Sequence, residues 1–406
     1  MKFKQARKTA VAILVISGLV GCASNDEDPD SLPAEKPEIQ NQFSTKVEWR
    51  KSVGEGIQAF YSRLKPAVGY DKVFAADRSG LITAYEQTSG KQVWEKDIRA
   101  KEESYLRWFG INMSADVRVS GMVASYEKLF VGCENGQIYA LDINTGEQLW
   151  QASVLGEILS APIAEEGKVI VNLGAGNTVA LDADDGKQLW DSISEVPTLT
   201  IRGVSSPAYA QGGVFVGGAN GKLLTYAAAN GQLAWDVAIA KPQGSTELAR
   251  IVDIDATPII SGYNLYALSA GGALSSIDMR SARVVWKREY RGYENMTLDG
   301  SQLLLSDDHS VLYSVDARTG VENWSNLKLR NRQVTAGAVF GDYYVVGDFE
   351  GYLYFFNKTD GELVYMRQLD NESLVAQPVV ENGLLYVQTR EGDLFAISLP
   401  QTQDES

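Results

Sequence analysis

A fifteen-residue phrase recurs seven times along the chain and restricts its fold more than any other feature. It opens on a small residue, usually glycine. It then runs through an apolar stretch to a short polar residue, turns at a Thr-Gly-like step and ends on an aromatic. The copies are GLITAYEQTSGKQVW (80–94), GQIYALDINTGEQLW (136–150), GNTVALDADDGKQLW (176–190), GKLLTYAAANGQLAW (221–235), GALSSIDMRSARVVW (272–286), SVLYSVDARTGVENW (310–324) and GYLYFFNKTDGELVY (351–365). The terminal aromatics are Trp94, Trp150, Trp190, Trp235, Trp286, Trp324 and Tyr365, separated by 56, 40, 45, 51, 38 and 41 residues. A period of roughly 40–50 residues built from short strands is the mark of a propeller blade.

An eighth copy starts at Gly392 and stops after GDLFAISLP, without turn or Trp. The missing half stands near the other end of the chain, in TKVEWRKSV around Trp49. Pairing of that N-terminal strand into the last blade closes the ring and removes two open sheet edges. The sequence therefore predicts an all-β, eight-bladed propeller of four-stranded antiparallel blades over residues 44–400. A single core saturates near about 300 residues, whereas each blade of a propeller packs only on its neighbours. The repeated Trp suits a blade-to-blade contact: a large apolar body is buried and its indole N–H needs an acceptor. Trp49, Trp94, Trp150, Trp190, Trp235, Trp286, Trp324 and Tyr365 are expected to be structural docking residues of this kind.

The first residues read as a processing signal. Lys2, Lys4, Arg7 and Lys8 form a basic head, and 10–20 is an apolar run too short to span a bilayer. It ends in Leu19-Val20-Gly21-Cys22, similar to bacterial lipoprotein signals, which implies removal of 1–21 and acylation of Cys22. Residue 23 is Ala and not Asp, which by the same likeness favours the outer membrane. Residues 22–43 are acidic and Pro-bearing and are expected to be a flexible tether; 401–406 are expected to be a disordered tail. Loss of four basic residues with the leader makes the formal charge of −15 more negative still. Nucleic acid is a poor partner for so acidic a domain. Cys133 would then be the only cysteine besides the acylated one, so no disulfide within the propeller is expected.

Candidate chemistry is sparse. His309 is the sole histidine and lies in a DDHS turn, which excludes a multi-histidine metal site. The stretch 182–186 looks like a calcium loop, but its twelfth position is Ile193 where a bidentate acid is needed. Asp142, Asp182, Asp278 and Asp316 hold one place in four copies, as turn-capping residues do. No catalytic residue, cofactor or metal is expected. The repeat is similar to the Trp-docking repeat of pyrroloquinoline-quinone dehydrogenases, so a quinone-dependent enzyme is one alternative; no Cys-Cys pair, which many of those enzymes carry, is present. An envelope ligand-binding or sensor propeller is another.

Function on such a scaffold sits on the loops joining blades. Three are unusual. The connection after Trp94 holds Tyr105, Trp108 and Phe109, either an exposed patch or padding. The connection EVPTLTIRGVSS carries Leu199, Ile201 and Arg202, and AKPQGSTELARIVDIDATP carries Asp253 and Asp255. The last two flank one blade, which places the Arg and the two acids near each other, as an ion pair or as a charged rim.

With the leader and the Trp repeat, the segments PTLTIRG and GSTELARIVDIDATP resemble the BamB family of outer-membrane β-barrel assembly lipoproteins over essentially the whole chain. That resemblance implies a non-enzymatic scaffold, lipid-anchored at the outer membrane and facing the periplasm. It implies docking on the POTRA repeats of BamA and assistance to insertion of β-barrel proteins, with unfolded clients as further partners. It places partner contacts at Leu199, Ile201, Arg202, Asp253 and Asp255; Ile stands at 201 where the family pattern has Leu.

Overall fold

Thirty-two strands, in a computed structural model that describes residues 31–60, 62–99, 117–201 and 203–400, pair into eight four-stranded antiparallel sheets. In seven of them the four strands are consecutive in the chain. The eighth takes Val379–Glu381, Leu384–Gln388 and Asp393–Ser398 from the C-terminal end and Lys46–Ser52 from the N-terminal end. Lys46 pairs with Ser398 and Ser52 with Asp393, so the two ends of the chain share one blade and the ring is closed.

Each blade repeats one register. The third strand carries the apolar run of the phrase, and the fourth carries the aromatic opposite a small residue. Trp94 faces Ala84, Trp150 faces Ala140, Trp190 faces Ala180 and Trp49 faces Ala396. A register shift follows beside each of these pairs, as one extra residue re-aims the strand. At the seventh blade Tyr365 faces Phe355 instead, so the smaller aromatic accompanies a larger partner.

The core lies between neighbouring sheets. Phe74 and Ile82 of the first blade cluster with Leu129, Val131 and Cys133 of the second; Phe215 and Leu223 of the fourth cluster with Leu265 and Ile277 of the fifth. Cys133 is fully buried, and burial pushes its thiol up to about 12, out of the range of a reactive cysteine. The docking aromatics lock the outer rim. Trp49 donates its indole N–H to the Gln87 carbonyl at 2.9 Å, Trp190 to Ala228 at 2.9 Å and Trp286 to Ala317 at 3.1 Å. Each acceptor belongs to the turn of the next blade. That turn also presents a glycine to the indole: a Cβ on Gly231 would stand 2.6 Å from Trp190. Asp142, Asp182, Asp278 and Asp316 cap these turns through backbone N–H groups; Asp316 Oδ1 accepts from Thr319 N at 2.8 Å.

Residues 34–43, placed within the expected tether, lie along the sixth and seventh blades. Ala34 N–H donates to the Arg330 carbonyl at 2.8 Å, and Arg332 returns a bond to Ala34 O at 2.9 Å. The Asn41 side chain pairs with both backbone groups of Met366, and Phe43 stacks on Tyr343 and Tyr365 with centroids 4.7 and 4.6 Å apart. Composition identified a polar stretch; Ala34 ties it to the connection between the sixth and seventh blades, and Asn41, Gln42 and Phe43 hold it on the seventh.

Candidate functional site

The loops that join one blade to the next all emerge on one face of the ring, because each starts at the end of an outer strand and enters the next inner strand. On that face the connections following the second, third and fourth blades leave large apolar side chains in solvent. Leu155 is 92% exposed, Leu248 is 73% exposed and Leu199 is 45% exposed, with Ile193 and Val196 exposed beside them. Scattered apolar residues are ordinary, whereas several on adjacent loops form the kind of patch a partner covers. Leu199 stands in a sequence segment singled out above. Leu248 stands in the other singled-out segment without being marked there as a contact, and Leu155 stands in neither, since nothing in a loop's composition tells which way an aliphatic side chain points.

Backbone chemistry holds Leu199 in place from beneath. The Ile201 N–H donates to Asp253 Oδ2 across the two connections. Asp253 is only 1% exposed, and its own carbonyl accepts from Ala270 N at 2.9 Å. Its neighbour Ile254 packs so closely on the fourth blade that a Cβ on Gly217 would meet the Ile254 carbonyl at 2.1 Å. The sequence leaves the two aspartates either in an ion pair with the neighbouring Arg or at a charged rim. They are buried instead: the 251–256 stretch is laid flat on the ends of the fourth and fifth blades, which turns both acids inward. Burial pushes Asp253 up to about 6, with the Ile201 bond acting in the opposite direction. Asp255, 4% exposed, is pushed up to about 7, chiefly by burial and partly by Asp253 and Glu294, with Arg63 opposing. Ile201 itself is half-buried.

Beside Ile201 a cavity of about 720 Å³ opens between the loops of the fourth to sixth blades. Ile201, Leu248 and Ile251 give it an apolar side, and Lys241, Arg291 and Asp308 a charged one. A mixed lining of this size suits an inserted protein side chain or loop. Arg202, Cys22 and the Tyr105, Trp108 and Phe109 cluster lie outside the described residues. His309 is in an exposed turn with Nδ1 3.2 Å from Asn331 Oδ1. Among the described residues no three His, Cys, Asp or Glu side chains converge as metal ligands, and no helix is long and apolar enough to cross a membrane.

A sequence model of the family described as outer membrane protein assembly factor BamB matches residues 41–107, 78–326 and 308–401. The chain is 42% identical to outer membrane protein assembly factor BamB of Shewanella oneidensis over 387 residues, 95% of this chain and 97% of the relative. It is 37% identical to the protein of the same name from Escherichia coli K12 over 399 residues, 97% of this chain and all of the relative. The crystal structure of BamB from Moraxella catarrhalis superposes with a TM-score of 0.77, over 88% of this chain and all of that one, at 24% identity. At that identity the likeness speaks to the fold alone.

Proposed function

The chain belongs to the BamB family of outer membrane protein assembly factors, and from that premise we propose that it acts as a docking scaffold without turnover, its partner the POTRA repeats of BamA. The observation that carries this reading is the exposed Leu199 on a loop whose backbone is tied down by a buried acid. A partner-binding loop gains affinity when its bound shape is already held before encounter. Leu199, Ile201 and Arg202 form the contact, Leu248 extends it, and Asp253 acts through Ile201 by fixing the loop. Asp255 supports the same stretch from the axis.

On the same reading 1–21 is a removable leader, Cys22 carries the acyl chains, and the propeller over 44–400 works from the periplasmic side of the outer membrane. Clients still unfolded would meet the outer strands of the blades, where a sheet edge accepts an added strand. The seventh blade offers an internal example of such an edge in use, with Asn41 on Met366 and Gln42 N donating to Val364 O at 3.0 Å.

Co-purification with BamA tests the docking. Leu199→Ala and Arg202→Glu are each expected to lower recovery of BamA at least about tenfold, the size of a hot-spot loss of 1.4 kcal/mol or more, with the propeller still folded. Undiminished recovery with both variants contradicts the assigned site. Incorporation of labelled palmitate, lost in Cys22→Ala, tests the anchor.

A further inference from the structure

A second cavity, of about 270 Å³, lies where the starts of the blades converge on the ring axis. It is lined by residues at the starts of the second to eighth blades and by Arg63 and Lys65 of the segment that crosses from the shared blade into the first. Its walls carry two kinds of unmet demand. Asp255 is 4% exposed, and neither carboxylate oxygen accepts a hydrogen bond among the described residues; Oδ2 is sealed from solvent without a partner. A Cβ on Gly203 would stand 2.9 Å from that oxygen, so the backbone there closes one side of it.

Lys65 meets the opposite wall with a single hydrogen bond, to Gln377 Oε1 at 2.9 Å, and among the described residues no carboxylate lies within ion-pair distance. Its ammonium has three donors and uses one. Burial pulls its pKa downward, as expected of a cation with only a neutral partner. The other charged pair is already served. Arg63 donates to the Asp255 and Tyr293 carbonyls at 3.1 and 2.7 Å and stands 4.0 Å from Glu294. What remains is one under-used ammonium and, on the same cavity, the Asp255 carboxylate, which is open to a ligand through Oδ1 and not through the sealed Oδ2. Val204, Pro207 and Ile163 supply apolar wall between them. Unpaired charges of opposite sign in one small cavity are costly when empty and are satisfied together by one molecule bearing both complementary charges.

We propose that the axial cavity is a binding site for a small zwitterion of amino-acid size, its carboxylate on the Lys65 ammonium and its ammonium on the Asp255 carboxylate. The size follows from the volume: drug-sized ligands occupy pockets of roughly 300–1,000 Å³, and this one falls just below that range. The site lies inward of the exposed Leu199 and Leu248, on the inner side of the same connections, and stands whether or not the exposed side chains bind BamA.

Calorimetric titration of the purified protein with L-alanine, L-serine and L-glutamine tests it, beside propionate and ethylamine as probes carrying one charge each. At least one amino acid is expected to bind with Kd below about 1 mM, and each single-charge probe at least about tenfold more weakly. Asp255→Asn and Lys65→Met are each expected to weaken the amino acid about tenfold or more, with near-UV circular dichroism unchanged. Wild-type affinity is also expected to rise between pH 6 and pH 8. Asp255, faced by Arg63, Asp253 and Glu294, is pushed up to about 7 and holds an ammonium only once deprotonated. Should no amino acid bind at millimolar concentration, the cavity holds water alone and the proposal fails. Equal binding of propionate or ethylamine by the wild-type protein overturns it as well, and that comparison needs no folded variant.

Discussion

Two adjacent junctions of the ring differ by one methyl group. Where the third blade meets the fourth, the turn offers Gly231 at φ 70°, and Trp190 lies flat against it with its N–H on the Ala228 carbonyl. Where the fourth meets the fifth, the corresponding turn residue is Ala282, at φ 53°. Trp235 is there less buried than its counterparts and, among the described residues, donates no indole hydrogen bond. Its ring is tilted 58° to Phe215, against 40° for Trp150 on Phe130. The docking geometry thus depends on the absence of a Cβ on the receiving turn, and losing it detaches the indole without disturbing the sheet. The looser junction is the one spanned by the connection bearing Leu248, Asp253 and Asp255.

Adding a methyl at the tight junction carries the largest expected effect. Gly231→Ala puts a Cβ 2.6 Å from the Trp190 ring and a side chain in the left-handed region, and is expected to destabilise the propeller by about 2–4 kcal/mol in urea unfolding. A loss under about 0.5 kcal/mol would mean the glycine is incidental. The pH response of the connection over the loose junction comes next. Asp255 is pushed up to about 7, so the native state holds a proton that the unfolded chain has lost, and stability falls as pH rises from about 4 to 7. Asp255→Asn is expected to remove on the order of 2 kcal/mol of the difference in stability between pH 5 and pH 8. An unaltered pH profile breaks that account.

Removing the methyl at the loose junction is expected to help. Ala282→Gly relieves the left-handed backbone and lets Trp235 settle, adding about 1 kcal/mol with a shift in tryptophan emission. No gain would show that Trp235 is held off by something other than this Cβ. Leu199→Ala has the smallest expected effect on the fold, within about 0.5 kcal/mol, because the side chain points into solvent.

The architecture was legible because one phrase fixes strand, turn and aromatic in the same order in each blade, and because the half-copy at Gly392 fits the stray Trp49. The aligned copies show Ala282 where the other six have glycine, though not what the change does to Trp235. The site was legible only in part. Asp253 and Asp255 are two apart, which suggests a shared strand face, yet 252–256 is not a strand and its acids are buried. Burial of a charge is set by what the tertiary fold lays over it, here the Ile201 loop and Gly203. Nor does sequence give Arg63 and Lys65 any pattern, since they sit in a crossing segment outside the repeat. Residues 34–43 were hidden by composition, because a few contacts from Ala34, Asn41 and Phe43 outweigh the solubility of the residues between them.

Site-specific photo-crosslinking tests the docking face most directly. A photoreactive residue at position 199 is expected to capture BamA in the cell envelope, while one at Tyr126, in an exposed turn at the opposite end of the blades, captures none. Capture from position 126 with none from 199 would place the partner on the wrong side of the ring and contradict the account.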